Sequence, residues 1–213
     1  MATTRAHISP RVEARRAATA GEILEAAWAL AAQSGLDALS LREIAARVGM
    51  QAPSLYSYFD NKAAILDALF ADGYQRLDEV LTSAHGSLPA TAAPRRRLVA
   101  LLTAWIDFCR ADKARYRLMF TAAVPGWEPS PGAYASSVAS FERMAGYLAA
   151  AGVTDPGDVD LCTALSAGLV AQQMANDPSG DRWTRRAEEV VDMILLHITT
   201  RDRRTARQTK GTS

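Results

Sequence analysis

Residues 40–62 read SLREIAARVGMQAPSLYSYFDNK, and this stretch decides the fold. Ser40 and Glu43 have the S-x-x-E spacing of a capping box, in which the two residues satisfy helix-end donors reciprocally. Leu39 and Ile44 stand where a hydrophobic staple closes the same end. The helix so started is predicted to stop at Val48, because Gly49 can take the left-handed conformation that ends it. A second short helix is predicted over about Ala52 to Phe59, with Pro53 tolerated in its first turn. Asp60 or Asn61 then caps a longer third helix. Two short helices joined by a glycine turn and flanked by longer ones make a helix-turn-helix. Leu41, Ile44, Ala45, Val48 and Leu55 supply the small or branched apolar groups that let its helices cross closely. The outward face of the second helix carries Gln51, Ser54, Ser57 and Tyr58, short polar and aromatic groups that suit base edges in a major groove. Tyr56 and Lys62 stand at the phosphate margin.

Upstream, Ser9 and Pro10 read as an N-cap and a first helical position. Ile23, Leu24, Ala27, Leu30 and Ala31 form the apolar face of that helix, and Gly35 stops it. Arg5, Arg11, Arg15 and Arg16, set against Glu13, read either as a DNA-touching mobile arm over residues 1–16 or as a disordered start, with the helix beginning at Pro10 or a few residues later. Downstream, the helix capped at residue 60 or 61 runs through Leu66, Leu69, Phe70, Leu77 and Leu81 to about His85-Gly86. Gly86 to Pro94 is the clearest linker. Beyond it the apolar period stays helical over about 94–110, 112–122, 132–151, 156–176 and 182–200, with no alternating strand run. Asp155 before Pro156 repeats the cap-and-proline start. The expected fold is all-α: a DNA-binding domain over residues 1–66, a helical domain over 67–200, and a basic flexible tail over 201–213.

Composition agrees with a globular protein able to bury a core: 213 residues, 49% hydrophobic and 22% charged. The formal net charge is only +1, so a nucleic-acid binder must concentrate positive charge locally. No stretch is long and apolar enough to span a bilayer, and residues 1–10 lack the apolar region of a signal peptide; a cytoplasmic location is expected. Cys109 and Cys162 have no zinc or disulfide-framework spacing and read as buried thiols, with a redox pair as the alternative. His7, His85 and His197 are far apart, so neither a metal nor another cofactor is expected.

The segments 41–49, 53–59 and 61–62 together resemble the TetR family signature, which runs T-x-x-x-I-A-x-x-x-G-V-S-x-x-x-L-Y-x-H-F-x-x-K-x-x-L, with Leu66 at its last position. The resemblance covers about residues 20–70; beyond residue 90 it rests on helical layout alone. It implies DNA binding through Ser40, Arg42, Gln51, Ala52, Pro53, Ser54, Tyr56, Ser57, Tyr58 and Lys62. Ser40, in place of the usual threonine, is expected on a phosphate; Tyr56 on the DNA backbone and nearby bases; Lys62 on a phosphate. Gln51 replaces a common serine and Tyr58 a common histidine, which leaves the operator sequence open.

Proteins with one such motif dimerise to gain sequence reading, and the last two long helices are the expected interface. Candidate interface residues are Cys162, Leu165, Leu169, Val191, Ile194, Leu195 and Ile198; the alternative is that these stripes face their own core. The middle helices hold Trp105, Phe108, Tyr116, Met119, Phe120, Trp127, Tyr134, Phe141, Met144 and Tyr147, either an ordinary core or the lining of an apolar effector pocket. The resemblance favours the pocket. The expected function is thus a one-component regulator: a homodimeric repressor on a palindromic double-stranded operator, released by a small, largely apolar effector. The alternatives are a DNA-binding regulator without an effector or under redox control, and a small helical enzyme. Against the enzyme, no nucleophile elbow, acid–base pair, phosphate-cradling loop or metal spacing is present.

Overall fold

The computed structural model describes residues 9–121 and 123–210. They form nine α-helices and one 3-10 turn, with no strand among the described residues. The helices are α1 (Pro10–Ser34), α2 (Leu41–Arg47), α3 (Ala52–Tyr56), α4 (Lys62–Gly86), α5 (Pro94–Ala111), α6 (Lys113–Phe120), α7 (Pro131–Ala150), α8 (Pro156–Asn176) and α9 (Ala187–Lys210). No helix among the described residues is long and apolar enough to cross a membrane.

Local chemistry explains most boundaries. Proline takes the first position of α1, α5, α7 and α8, where its missing N–H costs nothing. Asp155 caps α8 by accepting from the backbone N–H groups of Gly157 and Asp158. Asn61, not Asp60, caps α4: its Oδ1 accepts from the N–H of Ala64 at 2.9 Å. Gly49 adopts φ 70°, the left-handed turn expected of it.

Three boundaries depart from expectation. Helix α3 ends at Tyr56, although the N–H groups of Tyr58 and Phe59 still reach back to the Leu55 carbonyl. Helix α9 starts at Ala187, after a 3-10 turn over Thr184–Arg186, because Gln173 holds the N–H groups of Trp183 and Thr184 through its Oε1. It then continues to Lys210, through most of the segment expected as a flexible tail. At the other end, residues 10–16 are helical, which assigns Arg11, Arg15 and Arg16 to α1. Arg5 and His7 lie outside the described residues, as do residues 211–213.

The chain divides into two compact units. The first comprises residues 1–73 and 114–134, hence α1, α2, α3, the first half of α4, most of α6 and the segment after it. Its core is built on Ile23, Ala27, Trp28, Leu36, Leu39, Ile44, Leu55, Ile65, Leu66, Leu69 and Phe70, joined by Leu118 and Met119. The second comprises residues 74–113 and 135–213, in which α5, α8 and α9 pack together around Leu98, Ile106, Cys109, Val170 and Val191.

Candidate nucleic-acid interface

Helix α2 packs between α1 and α3, and this fixes the pose of the outward residues. Ile44, Ala45 and Leu55 are almost wholly buried, so the two short helices are held by packing and not by their own length. The start of α2 is capped as the S-x-x-E spacing predicts on one side only. The Glu43 N–H donates to Ser40 Oγ at 3.2 Å. The Glu43 carboxylate, expected to accept from a backbone N–H, instead accepts from the Ser40 hydroxyl at 3.0 Å. Leu39 and Ile44 are both buried, as the staple requires.

Gln51, Pro53, Ser54, Tyr56 and Ser57 are exposed along and just beyond α3, with Arg42 exposed on α2. Tyr56 is 46% exposed, a large aromatic ring left in solvent at the edge of a small domain. Ser40, Ala52, Tyr58 and Lys62 are half-buried. Ser57 spends its hydroxyl on the Ser54 carbonyl at 2.7 Å. Lys62 Nζ donates to the Asp37 carbonyl at 2.6 Å, which holds its ammonium beside the loop that leads into α2.

One residue of the basic cluster makes a contact here that the sequence does not signal. Arg16, on α1, donates through Nη2 to the Ser57 carbonyl, and its guanidinium carbon lies 4.8 Å from the centroid of the Tyr58 ring. The contact joins residues 41 apart in sequence, and neither spacing nor composition signals it.

Residues 23–69 match the model for bacterial regulatory proteins of the tetR family. Over this segment, which holds α2, α3 and the start of α4, the chain is similar to TetR-family regulators. The HTH-type transcriptional activator FasR of Mycolicibacterium smegmatis is 33% identical over 111 residues, covering 52% of this chain and 47% of FasR. The class A tetracycline repressor protein from transposon 1721 of Escherichia coli is 47% identical over 47 residues, covering 22% of each chain. The chain thus spans about half the length of these curated relatives, or less. Over the longer fold, the crystal structure of a regulatory protein, SCO4313, aligns with a TM-score of 0.69 at 25% identity, covering 88% of this chain and 99% of that one.

Outside the TetR-family motif, the expected effector residues do not form one cluster within a unit. Tyr116, Met119, Phe120, Trp127 and Tyr134 belong to the first unit; Trp105, Phe108, Phe141, Met144 and Tyr147 belong to the second. In the first, Tyr116 and Phe120 are neighbours with centroids 5.7 Å apart, and Trp127 meets Phe70 edge-on at 6.0 Å. Trp127 Nε1 and the Ser130 N–H both donate to Asp67 Oδ1 at 3.2 Å, which ties the segment after α6 to α4. In the second, Tyr147 stacks on His85 with centroids 4.6 Å apart. Tyr134 and Phe141 are 56% and 44% exposed, so neither side chain is enclosed by its own unit.

The expected interface residues divide as well. Cys162, Leu169, Val191 and Ile194 are buried within their own unit, and Leu195 and Ile198 are half-buried. Leu165 is exposed, and beside it lie three residues that sequence reading left out: Leu161 at 45%, Met193 at 61% and Leu196 at 68% exposed. A groove of about 180 Å³ runs between α8 and α9, lined by Leu161, Leu165, Met193, Ile194 and Ile198, with Asp158 and His197. Asp158 is buried yet ionisable, and it receives Arg201 Nη1, with His197 Nε2 at 3.4 Å.

Proposed function

We propose that this chain is a homodimeric transcriptional repressor that reads a palindromic operator with α3 and is released by a small, largely apolar effector. The observation that carries the DNA-binding half is the exposed edge of Gln51, Ser54 and Tyr56 beside Lys62, on the segment that matches the family model. FasR is named an activator and the tetracycline protein a repressor. The same reading head serves both, since the sign depends on where the site lies relative to the promoter.

The exposed apolar side chains of α8 and α9 support dimerisation. Leu161 and Leu165 are one turn apart on α8, as Met193 and Leu196 are on α9, so the two helices show adjoining apolar faces. Two such pairs form a four-helix interface with twofold symmetry. This moves the proposed contact from Cys162, Leu169 and Val191 to their exposed neighbours.

For the effector, the support is that α6 and the segment after it share a unit with the reading head. Met119 lies so close to Gly73 of α4 that a Cβ there would stand 2.6 Å from its sulfur. A ligand that displaces α6 therefore acts on α4, the helix that follows the recognition motif, and shifts the population towards a DNA-incompatible state. Redox control is less well supported: burial pushes the Cys162 thiol up to about 11, with the Asp158 carboxylate adding to it, and burial raises Cys109 as well. Thiols held neutral in this way are poor nucleophiles.

The test is binding of the full chain to DNA from its own upstream region, measured by fluorescence anisotropy. Lys62→Ala is expected to weaken binding about tenfold and to lower the slope of log K against log salt by about 0.9 per bound subunit. An unchanged slope would remove Lys62 from the phosphate contacts.

A further inference from the structure

The first turns of α1 add no side chain to the core. Residues 9–18 are exposed throughout, and none contributes to the core of the unit that contains them. An exposed helix end without apolar contacts ordinarily frays. Here it carries three arginines, Arg11, Arg15 and Arg16, against one acid, Glu13. Arg11 and Arg15 are four residues apart and share a face of the helix. Arg16 points elsewhere: it donates to the Ser57 carbonyl, just past the end of α3, and covers the ring of Tyr58. That pair of contacts fastens the exposed turns to the recognition helix at its trailing end.

We propose that α1 is a second phosphate-binding element of the DNA interface, in which Arg11 and Arg15 contact the duplex backbone and Arg16 is the positioning residue that latches them to α3. The proposal rests on the DNA-binding reading above and extends it to a part of the chain outside the matched residues 23–69. Three observations support it together. The surplus charge is local in a chain that is otherwise nearly neutral. Arg11 and Arg15 are exposed on a helix whose next residue, Arg16, reaches the end of α3. The guanidinium of Arg16 is engaged by a carbonyl and a π face, so its role is to hold the helix and not to meet a phosphate. Glu13, between the two arginines in sequence, leaves the segment 9–18 with a net charge of two positive units among the described residues.

Phosphate contacts are independent of base sequence, so the test needs no operator. The probe is a labelled random-sequence duplex of about 30 base pairs, titrated with full-length protein across a salt series. Arg11→Gln with Arg15→Gln is expected to lower the salt slope by about 1.8 per bound subunit and to weaken binding by tens of fold near 0.1 M salt. Thermal stability should not change, since both sites are exposed. Arg16→Ala should accelerate amide hydrogen exchange over residues 13–18 and lower the slope in the same direction, while Arg16→Lys should not restore the protection, because an ammonium does not reproduce the planar stack. If the double variant keeps the parental slope while Lys62→Ala loses its share, the α1 element is wrong and the helix-turn-helix reading survives. If the parent itself shows no salt-dependent duplex binding, both fall.

Discussion

Leu55→Ala is expected to cost the protein its DNA binding without touching a single outward residue. Leu55 is fully buried, and it is the residue by which the five-residue helix α3 is held against α2. A helix of that length has no stability of its own in water. Truncating a buried leucine to alanine costs about 2–5 kcal/mol through lost transfer free energy and the cavity left behind. That is a large fraction of the total for a small domain, about 5–15 kcal/mol. The Leu55 carbonyl also accepts from the N–H groups of Tyr58 and Phe59, so a shift of α3 carries with it the backbone beneath Arg16 and the approach to Lys62. Duplex affinity should fall by at least a hundredfold, with the first thermal transition lowered by circular dichroism. A parental transition temperature would contradict the packing account.

The second large effect is expected at the other end of the chain. Met193→Glu with Leu196→Glu places two carboxylates on the most exposed apolar positions of α9. If that face meets its twofold copy, four like charges are buried at one seam, and the dimer should dissociate to a monomer in sedimentation or light scattering. Duplex affinity should drop by about 10²–10⁴, because the second reading head no longer binds at the effective concentration that linkage confers. Both positions face solvent within the chain, so the monomer's own helicity should stay intact. A particle of unchanged mass would place the interface elsewhere.

The contrast between the two halves shows where sequence carried the reading and where it stopped. The reading head was legible because its determinants are local: Ser40 caps within three residues, Gly49 turns within one, and Leu55 is the apolar residue between Ser54 and Tyr56. The contact of Arg16 was not legible, since its partners Ser57 and Tyr58 are brought to it by the α1–α2–α3 packing. On α8 and α9 the sequence shows apolar stripes broad enough to serve two surfaces. Cys162 and Leu161 are adjacent, yet one is buried and the other is not, a choice made by where α5 docks. The aromatic residues between 105 and 147 form one group in sequence but divide between two units, because most of α6 falls in the unit of the reading head while α5 and most of α7 fall in the other. In the basic segment after residue 200, Arg201 is held by the buried Asp158, a partner 43 residues away that the local sequence does not signal.

The central claim, that this chain is a sequence-reading dimer on double-stranded DNA, is tested most directly by nuclease footprinting of its own upstream region with the purified full-length protein. The account predicts one protected, pseudo-palindromic site whose two half-sites lie about one helical turn apart, roughly 34 Å, or a small multiple of that. Uniform protection that tracks salt but not sequence, or no protection at protein concentrations that give a folded dimer, would contradict it.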